Sequence, residues 1–444
     1  MASATNERLE SMWRSKRFYV GILLFMAAVV NYVDRVNLSV AAPLIAKDFG
    51  WDPAMMGIIF SSFLWTYAAC LVPAGWLTDK LGPRKLNSYS ISIWSAAAML
   101  TGAVTGFSSM LTARLFLGVG EAATWPSSGK VIRQWFPAKE RGLATATFNS
   151  GSYFGPAIAT PIVAWLVIET GWRASFFIAG AIGFVWLIFW LKYFRDDPKD
   201  CSWLPEDERE YIAANTDHSQ TAKTNTPVRK ASLTDLLKQK SMWGLALTQG
   251  SAVYTQYLFL TWLPTYLVQA KNFALMKAGI YSSLPYLIAV VLMLVAGKLS
   301  DTILTPERLA QGGRRSAVIT TLLLSSLVLF TTVVDNDFVV LGLISVSLTC
   351  IATSITLNIA LTNDLVTDPA IAGTAFGILI LGGNIFGLTA PILTGFIVKA
   401  TGNFDNAFFL AGAILICGAF ISYALTRKPI RFEESTLDPI SDRK

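Results

Sequence analysis

Four ionisable residues stand in apolar stretches where water is scarce. Asp34 and Arg35 are neighbours within Asn31-Tyr32-Val33-Asp34-Arg35-Val36-Asn37-Leu38, and Arg114 and Glu121 share the run Arg114-Leu115-Phe116-Leu117-Gly118-Val119-Gly120-Glu121. A charge inside a membrane-crossing helix costs about 2.5 kcal/mol or more, and such residues mark function by default. Successive helical residues point about 100° apart. Asp34 and Arg35 therefore cannot pair face to face, and each needs partners on other helices or a polar cavity. Arg114 and Glu121 are two turns apart on one face, and about 10 Å of rise keeps them from bridging directly. Arginine beside a carboxylate suits one chemistry in particular: the guanidinium holds an anion and the acid carries a proton. Asp34 and Glu121 are the candidate proton carriers. Arg35 is the candidate anion site, and Arg114 is a second anion contact or a counter-charge. The alternative at each place is an ion pair that fixes helix packing.

Desolvation favours the neutral form of a carboxylate and a nearby arginine favours the charged one. An anion that occupies the arginine would remove the counter-charge and favour protonation, coupling anion to proton in one cavity. Neutral groups in apolar runs could bind hydroxyls: Tyr32, Tyr67, Trp125, Tyr153, Tyr254, Gln256, Tyr257 and Asn384. Individually, each tyrosine or tryptophan is as well explained by packing or an interfacial belt. The cysteines Cys70, Cys201, Cys350 and Cys417 show no CxxC spacing and read as small buried apolar residues, while the one histidine, His218, falls in a polar loop. No metal, cofactor or histidine base is expected in the apolar region.

These residues need helices to hold them. The chain has 444 residues, 53% hydrophobic and 15% charged, against about a quarter charged in soluble domains. Long apolar runs alternate with short polar joints, so the expected fold is an all-α membrane protein. Twelve spans are expected near 18–46, 54–76, 87–107, 108–130, 142–168, 173–194, 242–269, 275–299, 316–335, 338–362, 371–399 and 405–426. Met1 to Arg17 is polar and lacks the apolar core of a secretion signal, so the first run is expected to stay as a helix. Alternate joints carry the Lys and Arg clusters, which predicts both termini on the cytoplasmic side. The joint near 363–370 departs, with Asp364 and Asp368 but no base. The net charge of +7 is concentrated at helix ends and loops, as membrane topology requires, so no nucleic-acid partner is expected.

Gly75-Trp76-Leu77-Thr78-Asp79 ends the second span and Gly297-Lys298-Leu299-Ser300-Asp301 ends the eighth, an offset of 222 residues, half the chain. Gln256 and Tyr257 follow Asp34 and Arg35 by the same offset, which predicts charge recognition in one half and neutral contacts in the other. The expected organisation is an N-terminal tail (1–17), a six-helix bundle (18–194), a cytoplasmic linker (195–241), a second six-helix bundle (242–426) and a C-terminal tail (427–444). A short surface helix is expected in the linker from Pro205 to Ala214. Two such halves with a site at the midplane are a known transporter plan.

Gly75 through Lys85 resembles the signature loop of the major facilitator superfamily, G-x-L-x-D-R-x-G-R-R, with Gly75, Asp79, Gly82 and Arg84 matching. More narrowly, Asn31 through Leu38, Arg114 through Glu121 with Trp125-Pro126 and Gln134-Trp135-Phe136-Pro137, and Trp262-Leu263-Pro264-Thr265-Tyr266-Leu267 are similar to helices of the anion:cation symporter family, which includes bacterial sugar-acid transporters and the vesicular sialic acid carrier. The likeness runs from about residue 18 to 426. It implies two pseudo-symmetric bundles and proton-coupled uptake of an organic anion by a monomer in the inner membrane. Asp34 and Glu121 match the proton carriers. Tyr32, Arg35, Tyr67 and Arg114 match the cavity lining, to which Ser152, Gln256, Tyr257 and Asn384 are added as candidates. Asp79 and Arg84 match residues that close the cytoplasmic side, in a gating set with Gly75, Gly82 and Asp301. Sugar-acid relatives often carry glutamine where Ser152 aligns and asparagine where Ile380 does. Losing two amides implies a less polar cavity, open to aromatic, dicarboxylic or shorter hydroxy acids, with Asn384, Thr389 and Asn358 as partial compensation. Proton-driven efflux of another compound is the competing transport reading. A membrane enzyme or receptor is disfavoured by the absent histidines and metal ligands and by the half-chain repeat.

Overall fold

A computed structural model describes residues 15–216, 233–303, 313–366 and 369–430, without the side chains of 233, 293–303 and 369–370. His218 and the tail beyond residue 430 lie outside the described residues. A chain in lipid must satisfy its backbone internally, and long apolar runs do so as helices. The first half comprises α1 (Phe18–Phe49), α2 (Pro53–Leu81), α3 (Pro83–Gly102), α4 (Phe107–Glu121), α5 (Thr124–Trp135), α6 (Arg141–Thr170) and α7 (Trp172–Tyr193). Two short helices follow, α8 (Glu206–Asn215) and α9 (Leu233–Leu237). The second half comprises α10 (Lys240–Gln269), α11 (Leu275–Ile303), α12 (Gly313–Ser325) continued by a 3-10 segment (Ser326–Thr332), α13 (Asp337–Leu365), α14 (Pro369–Thr401) and α15 (Asp405–Leu425).

Each of the twelve expected spans overlaps a described helix, and 9 of the described helices are long and apolar enough to cross a membrane. The three rods outside that set are polar for identifiable reasons. α3 opens on Arg84 and Lys85. The α4–α5 rod carries Arg114, Glu121, Lys130 and Arg133. α10 carries Gln249, Tyr254, Thr255 and Tyr257 and is buried on nearly every side, so its polar groups face protein rather than lipid.

Two expectations need correction. The span expected at 108–130 is two helices, interrupted at Ala122–Ala123. Pro126 has no N–H for the carbonyl of Ala122, so the helix breaks directly after Glu121. The cysteines are not uniformly buried: Cys201 is buried, Cys70 and Cys350 are half-buried, and Cys417 is exposed. The joint lacking basic residues is explained, since Asp364 pairs with Arg314 on the neighbouring α12.

Within the halves α1 packs on α6, α3 on α7, and α10 on α14 and α15. The halves meet through α1 with α10, α2 with α14, and α6 with α11. Arg35 bonds Tyr257 and Ser39 bonds Thr261, and in both pairs the partners are 222 residues apart. Residues related by a twofold operation that touch one another lie on its axis, so the pseudo-twofold axis runs between α1 and α10. The same offset relates Gly57 to Gly279. Gly57 lets α2 approach the backbone of Pro391 and Gly395 on α14, and Gly279 lets α11 approach Thr160, Pro161 and Ala164 on α6.

Those crossings close one end of the bundle, called distal here, where α1 finishes. Asp52 bonds Lys399 there at 2.8 Å, Ser61 Oγ donates to the Leu388 carbonyl at 2.6 Å, and Phe60 packs edge-on against Trp262. At the basal end, where α1 begins, Gly75, Gly129, Gly142, Gly373 and Gly377 face open space and Trp76 is exposed. Among the described residues, the named contacts between the halves thus lie at the distal end and at mid-length of α1 and α10.

Candidate functional site

The site is built at mid-length of α1, whose Asn31, Tyr32, Asp34, Arg35 and Asn37 are all buried. Arg35 is the hub. Its Nε and one terminal nitrogen donate to the same Glu121 oxygen, Oε2, at 3.0 and 2.7 Å, and the other terminal nitrogen donates to the Tyr257 hydroxyl at 3.1 Å. Aromatic rings enclose the guanidinium: the centroids of Tyr32, Phe63 and Tyr67 lie 4.8, 4.9 and 5.6 Å from its central carbon. Arg114 sits against the same Phe63 ring at 5.3 Å, so this one ring contacts both arginines.

Position follows from local sequence. Gly118 brings α4 onto α2, where a Cβ would collide with the Phe63 carbonyl and the Thr66 hydroxyl. Gly120 does the same against Trp94 on α3, and Ser90 caps the Gly120 carbonyl. Glu121 is thereby held at the helix break, fully buried, opposite Arg35. As the spacing implied, neither adjacent Asp34 and Arg35 nor Arg114 and Glu121 form a pair. The pair crosses from α1 to α4.

Hydrogen-bonding capacity is left unspent. Asp34 is 2% exposed and neither of its carboxylate oxygens has a partner. Glu121 Oε1 and Arg114 Nε are also unpartnered. Asp34 lies in the electrostatic field of Glu121, Arg114 and Arg35, so four ionisable groups share one buried compartment. Buried polar atoms are normally satisfied, and unsatisfied ones call for a specific explanation. A visiting anion and a proton are the partners this arrangement can accept.

The other candidates are placed as follows. Ser152 is buried with its hydroxyl unpartnered. Gln256 donates to the Tyr153 hydroxyl at 3.2 Å. Asn384 is buried on α14, beside Gly383 and Gly387, which pack against Val253 and Tyr257 of α10. Two compensating residues are spent elsewhere: Asn358 donates to the Leu245 carbonyl and to Gln249, and Thr389 donates to its own helix at Phe386. Asn358 therefore faces its own bundle. Of the gating set, Asp79 bonds Lys130 at 3.1 Å and remains largely exposed, while Arg84 bonds within its own half to Asp196 and Leu191. Gly82 has φ 80°, and its bare Cα admits the Asp196 carboxylate that accepts from the Arg84 N–H. Gly75 faces open space, and the Asp301 side chain lies outside the described residues. Phe63 was missed by sequence reasoning. The available signal was its place four residues before Tyr67, on the same face of α2.

Two pseudo-symmetric helical bundles around a buried charge compartment define a multi-pass membrane protein of the transporter class, with no enzyme chemistry assigned. The sequence profile of the Major Facilitator Superfamily matches residues 24–312, and the chain belongs to that family. It is 34% identical over 92% of both chains to a probable galactarate/D-glucarate transporter of Escherichia coli K12. It is 31% identical, over 92% of its length and 93% of the relative's, to a probable sulfoacetate transporter of Cupriavidus necator. A hexuronate transporter of Bacillus subtilis is also 31% identical, with 94% of this chain and 95% of the relative covered. Among solved structures, a bacterial homologue of the human lysosomal transporter Spinster shares the fold with a TM-score of 0.73 at 16% identity, covering 94% of this chain and 98% of that one.

Proposed function

We propose that this chain is a proton-coupled symporter that takes up an organic anion, a sugar acid or a related hydroxy or dicarboxylic acid, by alternating access across the inner membrane. It acts as a monomer with both termini in the cytoplasm. The relatives' names support the substrate class: galactarate, glucarate, hexuronate and sulfoacetate are all small organic anions. The observation that carries the mechanism is the Arg35–Glu121 pair with its unspent neighbours, Asp34 and Arg114.

A substrate carboxylate that takes Arg35 must displace Glu121. A carboxylate left unpaired in a dry site is costly, and binding a proton removes the cost. Arg114 supplies a second cationic contact, and Asp34 is the second proton carrier. The tyrosines and Gln256 meet the rest of the substrate. Gly75, Asp79, Gly82, Arg84 and Asp301 belong to the gate that closes the basal, cytoplasmic end when the distal end opens.

The experiment is uptake of labelled aldarates, aldonates, hexuronates, tartrate and benzoate-type acids into proteoliposomes, with and without an inward proton gradient. One acid should accumulate only with the gradient. Glu121→Gln keeps an acceptor for Arg35 but carries no proton, so it should abolish gradient-driven uptake and spare exchange. Loss of a preloaded cationic or neutral compound on external acidification, with no acid moved, would replace uptake by efflux. Unchanged gradient-driven uptake in the variant would remove Glu121 from the coupling.

A further inference from the structure

Tyr286, on α11, was not among the candidate residues. Its side chain is 4% exposed and its hydroxyl has no hydrogen-bond partner. Ser282, one helical turn earlier on the same face, is 1% exposed and its hydroxyl is unpartnered too. Both line a small hollow of about 10 Å³ between the halves. Val36 and Ser39 of α1 form the opposite wall. Val36 and Ser39 follow Arg35 along α1, so the hollow lies distal to Arg35 on that helix. Ser39 already donates to the Thr261 carbonyl, so its oxygen remains free to accept.

The Tyr286 hydroxyl interacts electrostatically with those of Tyr153 and Tyr32. Tyr153 accepts from Gln256, and Tyr32 covers Arg35. Tyr32 of α1, Tyr153 of α6, Gln256 of α10 and Tyr286 of α11 thus share one neighbourhood of neutral polar groups. A buried hydroxyl without a partner costs about 1–3 kcal/mol, and two at one hollow are hard to attribute to packing. The hollow has room for about one water-sized group. A single hydroxyl or a water fits it, and a charged or bulky group does not.

We propose that Tyr286, with Ser282, forms a subsite that grips a hydroxyl of the bound acid on the side away from its Arg35-held carboxylate. This deepens the organic-anion reading and rests on it. It also supplies, from α11, polar contact that Asn358 and Thr389 do not provide. The subsite selects for chain hydroxylation: a polyhydroxylated acid reaches it and a short or deoxygenated acid does not.

The test uses the full-length protein in proteoliposomes and compares Tyr286→Phe and Ser282→Ala with the unaltered chain. Each is offered the transported hydroxy acid and its analogue lacking hydroxyls distant from the carboxylate. Tyr286→Phe should raise KM for the hydroxy acid about 10-fold, one hydrogen bond's worth at 1.4 kcal/mol per decade, and leave the deoxy analogue unchanged. Its thermal midpoint in detergent should hold or rise, because the hydroxyl has no internal partner to lose. Ser282→Ala should give the same selectivity change in smaller degree. An equal change for both acids, or a fall in thermal midpoint with no change in selectivity, would assign the hollow to a structural water and overturn the proposal. If the unaltered protein moves no organic acid, the functional reading itself fails. If it moves acids but neither variant discriminates between them, only the subsite fails.

Discussion

Every nitrogen of the Arg35 guanidinium has a partner. Two nitrogens meet Glu121, the third meets Tyr257, and aromatic rings enclose the plane. Lysine could supply the charge but neither the planar fork nor the stacking. Arg35→Lys should therefore weaken substrate affinity about 10- to 100-fold, matching the loss of about 1.5–3 kcal/mol for a hydrogen bond to a charged group. Binding titration with the transported acid would check this, and near-normal affinity would remove Arg35 from the anion site. The four buried charges were legible in the sequence because ionisable residues in apolar runs have few structural reasons to exist. Their pairing was not, because one helix's sequence does not state which neighbour it faces. Phe63 and Tyr286 escaped for a related reason: an aromatic residue in an apolar run looks like packing until its contacts are seen.

At the scale of elements, the site depends on how closely α4 can approach α2. Gly118 meets the Phe63 backbone, and backbone cannot step aside as a flexible side chain can. Gly118→Ala should push the helices apart, lift the Phe63 ring from Arg35 and Arg114, and destabilise the protein by about 1–3 kcal/mol, as overpacking does. Gly342→Ala on α13, where the added methyl meets nothing, should leave stability unchanged. Thermal unfolding in detergent distinguishes the two, and equal midpoints would show that the contact has slack. Each expected span overlaps a described helix, although only 9 of those helices are long and apolar enough to cross a membrane and α3, the α4–α5 rod and α10 carry more polar groups. Pro126 signals an interruption of its span, but the run's length satisfies a single span and hides that the break falls directly after Glu121. The early start of α3 likewise depends on Gly82 and on Asp196, more than a hundred residues away in the chain.

At the scale of the whole molecule, named contacts join the halves at the distal end. The Asp52–Lys399 contact joins α2 to α14 across the two halves. The hydrogen bond from Lys399, followed by that from the Met55 N–H, holds the Asp52 carboxyl below its ordinary value of 3.8. A lowered carboxyl contributes to the closed form fully above that ordinary value, and the contribution fades as pH falls through the lowered one. The latch therefore stays intact through the physiological range. Under the proposed coupling, a proton acting near neutral pH does so elsewhere, at the buried carboxylates of the central site. Both partners are substantially exposed, and such pairs are worth about 0.2–1 kcal/mol. Asp52→Asn should shift the population toward distal opening by roughly 1.4- to 5-fold, with little further effect of acid on the variant. Spin labels at Glu169 and Thr401, exposed at the distal end of opposite halves, would report it as a longer distance component at neutral pH. The unaltered protein should show the same component only in strong acid. An unchanged distance distribution in Asp52→Asn would mean that the glycine crossings at Gly57 and Gly279 hold the distal end shut unaided. Release would then have to come from the axis itself, where displacement of Glu121 from Arg35 also loosens the Arg35–Tyr257 contact between the halves.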